Sequence, residues 1–168
     1  MAESDLHHRL KQRAVKWLIA RGCFAACDEV DLSPGRGRLF DAGGFRRAGK
    51  ERHILGVEVK VSRADFAKEI RHTKNARGKL ASYQAHEAYQ AGFPHYCYLL
   101  CPENLVQPGE IPADWGLLYW VDDKTPLQSV KRAKRNNRAS ADVYVPALEA
   151  MVGQLSWRAR GGTTNGAD

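Results

Sequence analysis

No apolar run in this 168-residue chain is long enough to cross a bilayer, which takes about 20 residues. The longest stretch free of Asp, Glu, Lys and Arg lies around Gly92 to Pro102. The opening MAESDLHHRLKQR lacks the apolar core and small-residue cleavage site of a secretory signal, so the expected compartment is the cytosol. Cysteine is sparse. Its four copies fall as Cys23/Cys27 and Cys97/Cys101, each pair spaced wider than the C-x-x-C of a zinc loop, and the second pair sits in the apolar run HYCYLLC. Buried reduced thiols fit that setting better than zinc. Acidic residues are also short: 19 Asp and Glu face 26 Lys and Arg, for a net charge of +7 and a pI near 9.4. A surplus of that sign favours a partner that carries phosphate.

At 43% hydrophobic residues the chain can bury a core without disulfides or a structural metal, and one domain over residues 1–160 is expected, followed by a disordered tail at 161–168. Leu6, Leu10, Ala14 and Trp17/Leu18 recur at three-to-four spacing, which predicts an amphipathic helix over 6–21 that stops near Gly22. AACDEVDL and RLFDAGGF read as two strands around the turn SPGRGR. ILGVEVKV is the best strand in the chain, with Leu55, Val57, Val59 and Val61 facing one way as core, and Ile54, Gly56, Glu58 and Lys60 facing the other as the charged side. A helical stretch over 62–92 follows, with a break at Gly78 and with Ser62 and Asp65 as its capping pair. HYCYLLCP and GLLYWVD are further strands, and PALEAMVGQLSWRAR a last helix. This order predicts an α/β sandwich with a central mixed sheet.

A two-residue turn at Gly49 and Lys50 fixes the register of the second and third strands, because glycine suits the first central position of such a turn. Ala48 then opposes Glu51, paired positions sum to 99, and Asp41 falls opposite Glu58. Ala42 meets Val57 and Phe40 meets Val59 on the other face. Opposed carboxylates repel one another, so the pair calls for a cation. Mg²⁺ or Mn²⁺ answers that need, since hard ions take one or two carboxylates and complete their shells with waters and phosphate oxygens. Lys60 projects beside the pair, and Gly43 with Gly56 leaves room for a backbone to approach. A metal held there would acidify water and polarise a phosphodiester. Neighbouring carboxylates favour a charged Lys60, so its expected role is to position water or stabilise developing charge.

Asp41, then Glu58-Val59-Lys60 at the end of an apolar strand, then a helix: this pattern resembles the PD-(D/E)XK nuclease superfamily. The likeness covers roughly residues 6 to 101, and VEVKVSRADF and IPADWGLLYWVD look similar to small bacterial and phage members linked to DNA repair. It implies a restriction-endonuclease-like three-layer sandwich and a Mg²⁺-dependent endonuclease acting on DNA in repair, recombination or phage DNA processing, with dimers common among relatives. By the same resemblance Asp41, Glu58 and the Val59 carbonyl hold the metal and Lys60 is the catalytic lysine. The first helix carries no acidic residue inside it, where the family often has one, so Glu29 or Asp31 stands as the auxiliary acid. Phe40 occupies the place of the family's proline.

Lys68, Arg71, Lys74, Arg77 and Lys79, on or near the helix after the motif, and Lys131, Arg132, Lys134, Arg135 and Arg138 form two basic groups suited to a phosphate backbone. Tyr83 and Tyr89 could stack on bases, but their spacing among alanines suits core packing better. The six histidines show no metal-ligand spacing and read as surface or core residues. Two rivals to the nuclease are a nucleic-acid-binding module that kept the fold and lost its metal site, and a non-enzymatic subunit.

Overall fold

The computed structural model describes residues 4–32, 39–70, 79–85, 92–139 and 144–159. Helix α1 spans Asp5–Ala20. Ser4 caps it by accepting the His7 N–H at 3.2 Å, and Gly22, at φ +85°, ends it in the left-handed conformation that glycine adopts without strain. Three strands follow: β1 (Cys23–Asp31), β2 (Leu39–Ala48) and β3 (Glu51–Val59). Helices α2 (Arg63–Ile70) and α3 (Lys79–Ala85) lead to β4 (Tyr96–Pro102), β5 (Gly116–Trp120), β6 (Gln128–Lys131) and α4 (Tyr144–Ala159). A 3-10 turn, Pro108–Glu110, lies between β4 and β5.

The six strands form one mixed sheet in sequence order. β1, β2 and β3 pair antiparallel, β3, β4 and β5 pair parallel, and β6 returns antiparallel. β6 is a strand that the sequence pattern did not reveal, for QSVK has no apolar alternation and is mostly exposed. Helices cover both faces. Leu10, Ala14 and Leu18 of α1 pack on Ala42, Leu55, Val57, Val59, Leu100 and Leu118. Phe66 of α2, Leu80 and Tyr83 of α3, and Ala147 and Met151 of α4 pack on the other face with Phe40, Ile54, Phe93 and Trp115. Among the described residues no helix is long and apolar enough to cross a membrane.

The hairpin has the expected register. Ala48 opposes Glu51 and Ala42 opposes Val57, and Gly49 takes φ +61° in the turn. Two details of β3 differ. Every residue from His53 to Lys60 is buried, so the side opposite Val57 is a second core rather than a charged surface. The predicted room at the glycines is also taken by the protein itself. A Cβ at Gly43 would fall 2.5 Å from Val30, and one at Gly56 would fall 2.8 Å from Phe40. Phe40 therefore lies over Gly56 in the core shared with Phe93 and Trp115, on the side away from Val59. The four cysteines are buried and none forms a disulfide. The tail at 161–168, with Arg71, Lys74, Arg77 and Tyr89, lies outside the described residues.

Candidate active site at the end of the hairpin

Ala42–Val57 is the last pair of the hairpin ladder, and just beyond it the Asp41 side chain reaches across to β3. Asp41 accepts the Val59 N–H at Oδ2 (2.7 Å), and its Oδ1 lies 3.5 Å from Nε2 of His7 on α1. Val59 thus enters the site through its N–H as well as through the carbonyl expected to bind metal. Glu58 is 2% exposed and its two oxygens are divided between lysines: Oε1 lies 2.9 Å from Lys60 Nζ, and Oε2 2.5 Å from Nζ of Lys79 on α3. Lys60 Nζ also lies 3.0 Å from Oε1 of Glu69 on α2, and the other Glu69 oxygen accepts the Lys79 backbone N–H at 2.7 Å. Glu69 therefore links α2, α3 and the end of β3.

Burial, with the Asp41 charge next in weight, pushes the Glu58 carboxyl up to about 7, against the pull of Lys79 and Lys60. Burial pushes Asp41 upward too. There the His7 hydrogen bond, the Val59 N–H and the charges of His7 and Lys79 outweigh it, and Asp41 stays below its usual range. For Lys60, burial opposes the charge, but Glu58 and Glu69 overcome it and raise the pKa above the ordinary lysine value. Lys60 is an ammonium throughout the physiological range, a donor and a positive charge rather than a base.

The donor set suits a hard divalent ion. Asp41 and Glu58 are close enough for one to raise the other's pKa, so a cation placed between them relieves a repulsion already present. Among the described residues, no three His, Cys, Asp or Glu side chains are grouped to hold a metal. A metal here would draw on the two carboxylates, with water and substrate oxygens filling the shell. In this arrangement Lys79 supplies part of the positive charge, and a metal ion would take its place at Glu58.

Of the auxiliary acids, Glu29 falls between the paired positions Asp28–Ala42 and Val30–Phe40, opposite Asp41. Its φ of +50° turns it toward α1, where Oε1 lies 2.5 Å from Nζ of the buried Lys11. Asp31 pairs with Leu39 at the same end of the sheet. Ser62 caps α2, its Oγ accepting the Asp65 N–H at 3.1 Å. Tyr83 is core, edge-on to Phe93 and Trp115.

The basic candidates divide. Lys68 is exposed on α2. Lys131 donates to the Pro108 and Pro112 carbonyls at 3.3 and 2.9 Å, a structural clamp, and Arg135 pairs with Glu51 at 3.0 Å. Lys134, Arg135 and Arg138 border an open cavity of about 530 Å³, and Arg132 is exposed on the face of the sheet that carries α1. Sequence reasoning missed His7 and Glu69 as neighbours of the carboxylates, and it read Lys79 as a substrate guide. Each comes from a separate helix, and no local spacing links it to the hairpin.

No protein-family model matches the chain, and no curated protein matches it. A solved structure of a protein of unknown function from Silicibacter pomeroyi has the same fold, with a TM-score of 0.65 at 20% identity over 98% of this chain and 100% of that one.

Proposed function

We propose that this chain is a metal-dependent nuclease that hydrolyses phosphodiester bonds in DNA, built on a restriction-endonuclease-like fold. The observation that carries the reading is the Asp41–Glu58 pair with Lys60 beside it: a buried carboxylate and a half-buried one, mutually repelling, next to a permanent ammonium. An arrangement kept for stability alone would not set a carboxylate whose ionisation costs free energy at neutral pH against another carboxylate. DNA is the substrate class implied by the superfamily resemblance, and the +7 charge agrees with either nucleic acid.

When bound between Asp41 and Glu58, Mg²⁺ or Mn²⁺ would acidify a water and neutralise charge on the phosphoryl oxygens. The chain's own residues do the rest. The Val59 N–H fixes the Asp41 carboxylate in one orientation. Glu69 holds the Lys60 ammonium at the pair, from where it donates to the attacking water or to a non-bridging phosphoryl oxygen. Water attacks phosphorus as the ester P–O bond breaks, and the departing oxygen gains a proton.

The Lys79 contact at Glu58 favours a second reading, a DNA-binding module in which lysine has taken the metal's place. One experiment separates the two. Supercoiled, single-stranded, nicked, flapped and branched DNA are incubated with Mg²⁺ or Mn²⁺ and wild type, Asp41→Ala, Glu58→Ala or Lys60→Ala. Metal-dependent cutting lost in all three variants while binding persists supports the nuclease. Equal binding by all four proteins with nothing cut leaves the binding module.

A further inference from the structure

On the α1 face, at the end of that helix remote from His7, lies a cavity of about 240 Å³. Trp17 and Arg21 come to it from α1, Arg46 from β2, Tyr98 from β4, Ser129 from β6, and Arg132 from the segment after β6. Arg46 pairs with His53, five residues before Glu58 on β3, so the cavity lies about 16 Å along the strand from the carboxylates. The ten residues from His7 to Trp17 give about 15 Å along α1, in agreement.

Two buried donors at this cavity have no hydrogen-bond partner: the indole N–H of Trp17 and the Nε–H of Arg46. Leaving such a group unpaired costs on the order of 1–3 kcal/mol, and neither group can accept a hydrogen bond, so only an acceptor satisfies them. Three guanidinium groups converge here, and among the described residues none of them is paired with a carboxylate. Two of the three lie over aromatic rings. Arg21 stacks over Trp17 at 5.2 Å and Arg46 over Tyr96 at 5.5 Å, while Trp17 meets Tyr98 edge-on at 4.9 Å. Tyr98 in turn lies against Gly116, where a Cβ would fall 2.3 Å from its ring. The result is a polar pocket with donors and positive charge and, among the described residues, no carboxylate to match.

We propose that this pocket binds a phosphate group of a nucleic-acid strand, Arg21, Arg46 and Arg132 supplying charge-assisted hydrogen bonds and Trp17 Nε1 a further donor. The anion chemistry stands independently of the carboxylate site, which lies at the other end of α1, beside His7. Assigning the phosphate to nucleic acid rests on the proposed function. The phosphate has three sources, a strand terminus, an internal phosphodiester or free phosphate, and the test separates them.

The indole ¹⁵N–¹H resonance of Trp17, assigned among the four tryptophans by Trp17→Phe, is followed in the full chain and in Glu58→Gln. The titrants are inorganic phosphate, a 5′-phosphorylated oligonucleotide and the same oligonucleotide with a 5′-hydroxyl. The expected result is a saturable downfield shift of Trp17 in both proteins, weakened about tenfold or more in Arg21→Gln/Arg46→Gln, whose circular dichroism matches wild type. Tighter binding of the phosphorylated oligonucleotide assigns the pocket to a strand terminus. Equal binding of the two assigns it to the backbone. A response to inorganic phosphate alone overturns the nucleic-acid assignment, and a Trp17 resonance that no titrant moves overturns the site. Intact Trp17 binding in a protein that cuts nothing removes the proposed nuclease and leaves this pocket standing.

Discussion

Replacing Glu58 with Gln should stabilise the protein at neutral pH, although Glu58 contacts two lysines. The Glu58 carboxyl sits at about 7 in the folded protein against an ordinary value of 4.5, so the folded state holds a proton there that the unfolded chain has lost. Stability contributed by the protonated form is fully present below pH 4.5 and is lost as the pH rises through 7. Two and a half pH units at about 1.36 kcal/mol each amount to about 3 kcal/mol. Gln keeps the shape of the protonated acid and never ionises. Glu58→Gln should therefore match wild type at pH 4 and exceed it by about 3 kcal/mol at pH 8, about 6–12 °C in melting temperature for a chain of this size. Urea denaturation followed by circular dichroism, run on both proteins from pH 4 to pH 8.5, gives the difference directly and cancels other titrating groups. Adding Mg²⁺ at pH 8 should stabilise wild type and leave Glu58→Gln unchanged, since only the ionised pair holds the metal. A variant less stable than wild type at pH 8, or a difference that does not change with pH, would refute the claim that Glu58 is a carboxylate held against its own preference.

Lys79→Gln should tighten Mn²⁺ binding at pH 8 by about tenfold, because it removes the ammonium that competes for Glu58 Oε2; isothermal titration reads the change. Gly56→Ala should cost on the order of 2 kcal/mol by urea denaturation, since the new methyl meets the Phe40 ring at 2.8 Å in a filled core. Burial, with the charges of His53 and Arg135, pushes the His95 imidazole down to about 4 from an ordinary 6.5. Its contribution to stability is present above pH 6.5 and is lost as the pH falls toward 4, and in an NMR titration its ring resonances should stay in the neutral form until the pH nears 4.

The hairpin was legible because its determinants are local. A glycine at the turn sets the pairing, and adding positions to 99 carries that register as far as Ala42 and Val57 without tertiary information, one residue short of Asp41 and Glu58. α1 was legible for the same reason, from the spacing of Leu10, Ala14 and Leu18 to Gly22 at its end, although its Ser4 cap was not read. Sequence reasoning failed where a long-range contact decides the outcome. Ile54 and Gly56 were assigned to a charged face because Glu58 and Lys60 share their parity, yet α2, α3 and α4 cover that face and all four are buried. Gly43 and Gly56 looked like open space until Val30, Leu32 and Phe40 filled it. Glu69 and Lys79 reach the carboxylates only because β3 and β4 run parallel, which obliges the chain to cross over the sheet between them.

That crossover has a consequence for how the site can change over generations. The two acids are written into a hairpin whose every position is tied to its neighbour by register, so almost any alteration there disturbs the sheet. The positive charge on Glu58 Oε2 and the clamp on Lys60 are written into another stretch of chain, one free to vary in length and sequence while the sheet stays paired. Affinity for an ion and the protonation of Glu58 can therefore drift by edits to the connection alone. Under the proposed function, members of one lineage with nearly identical sheets would differ in whether they cut or only bind.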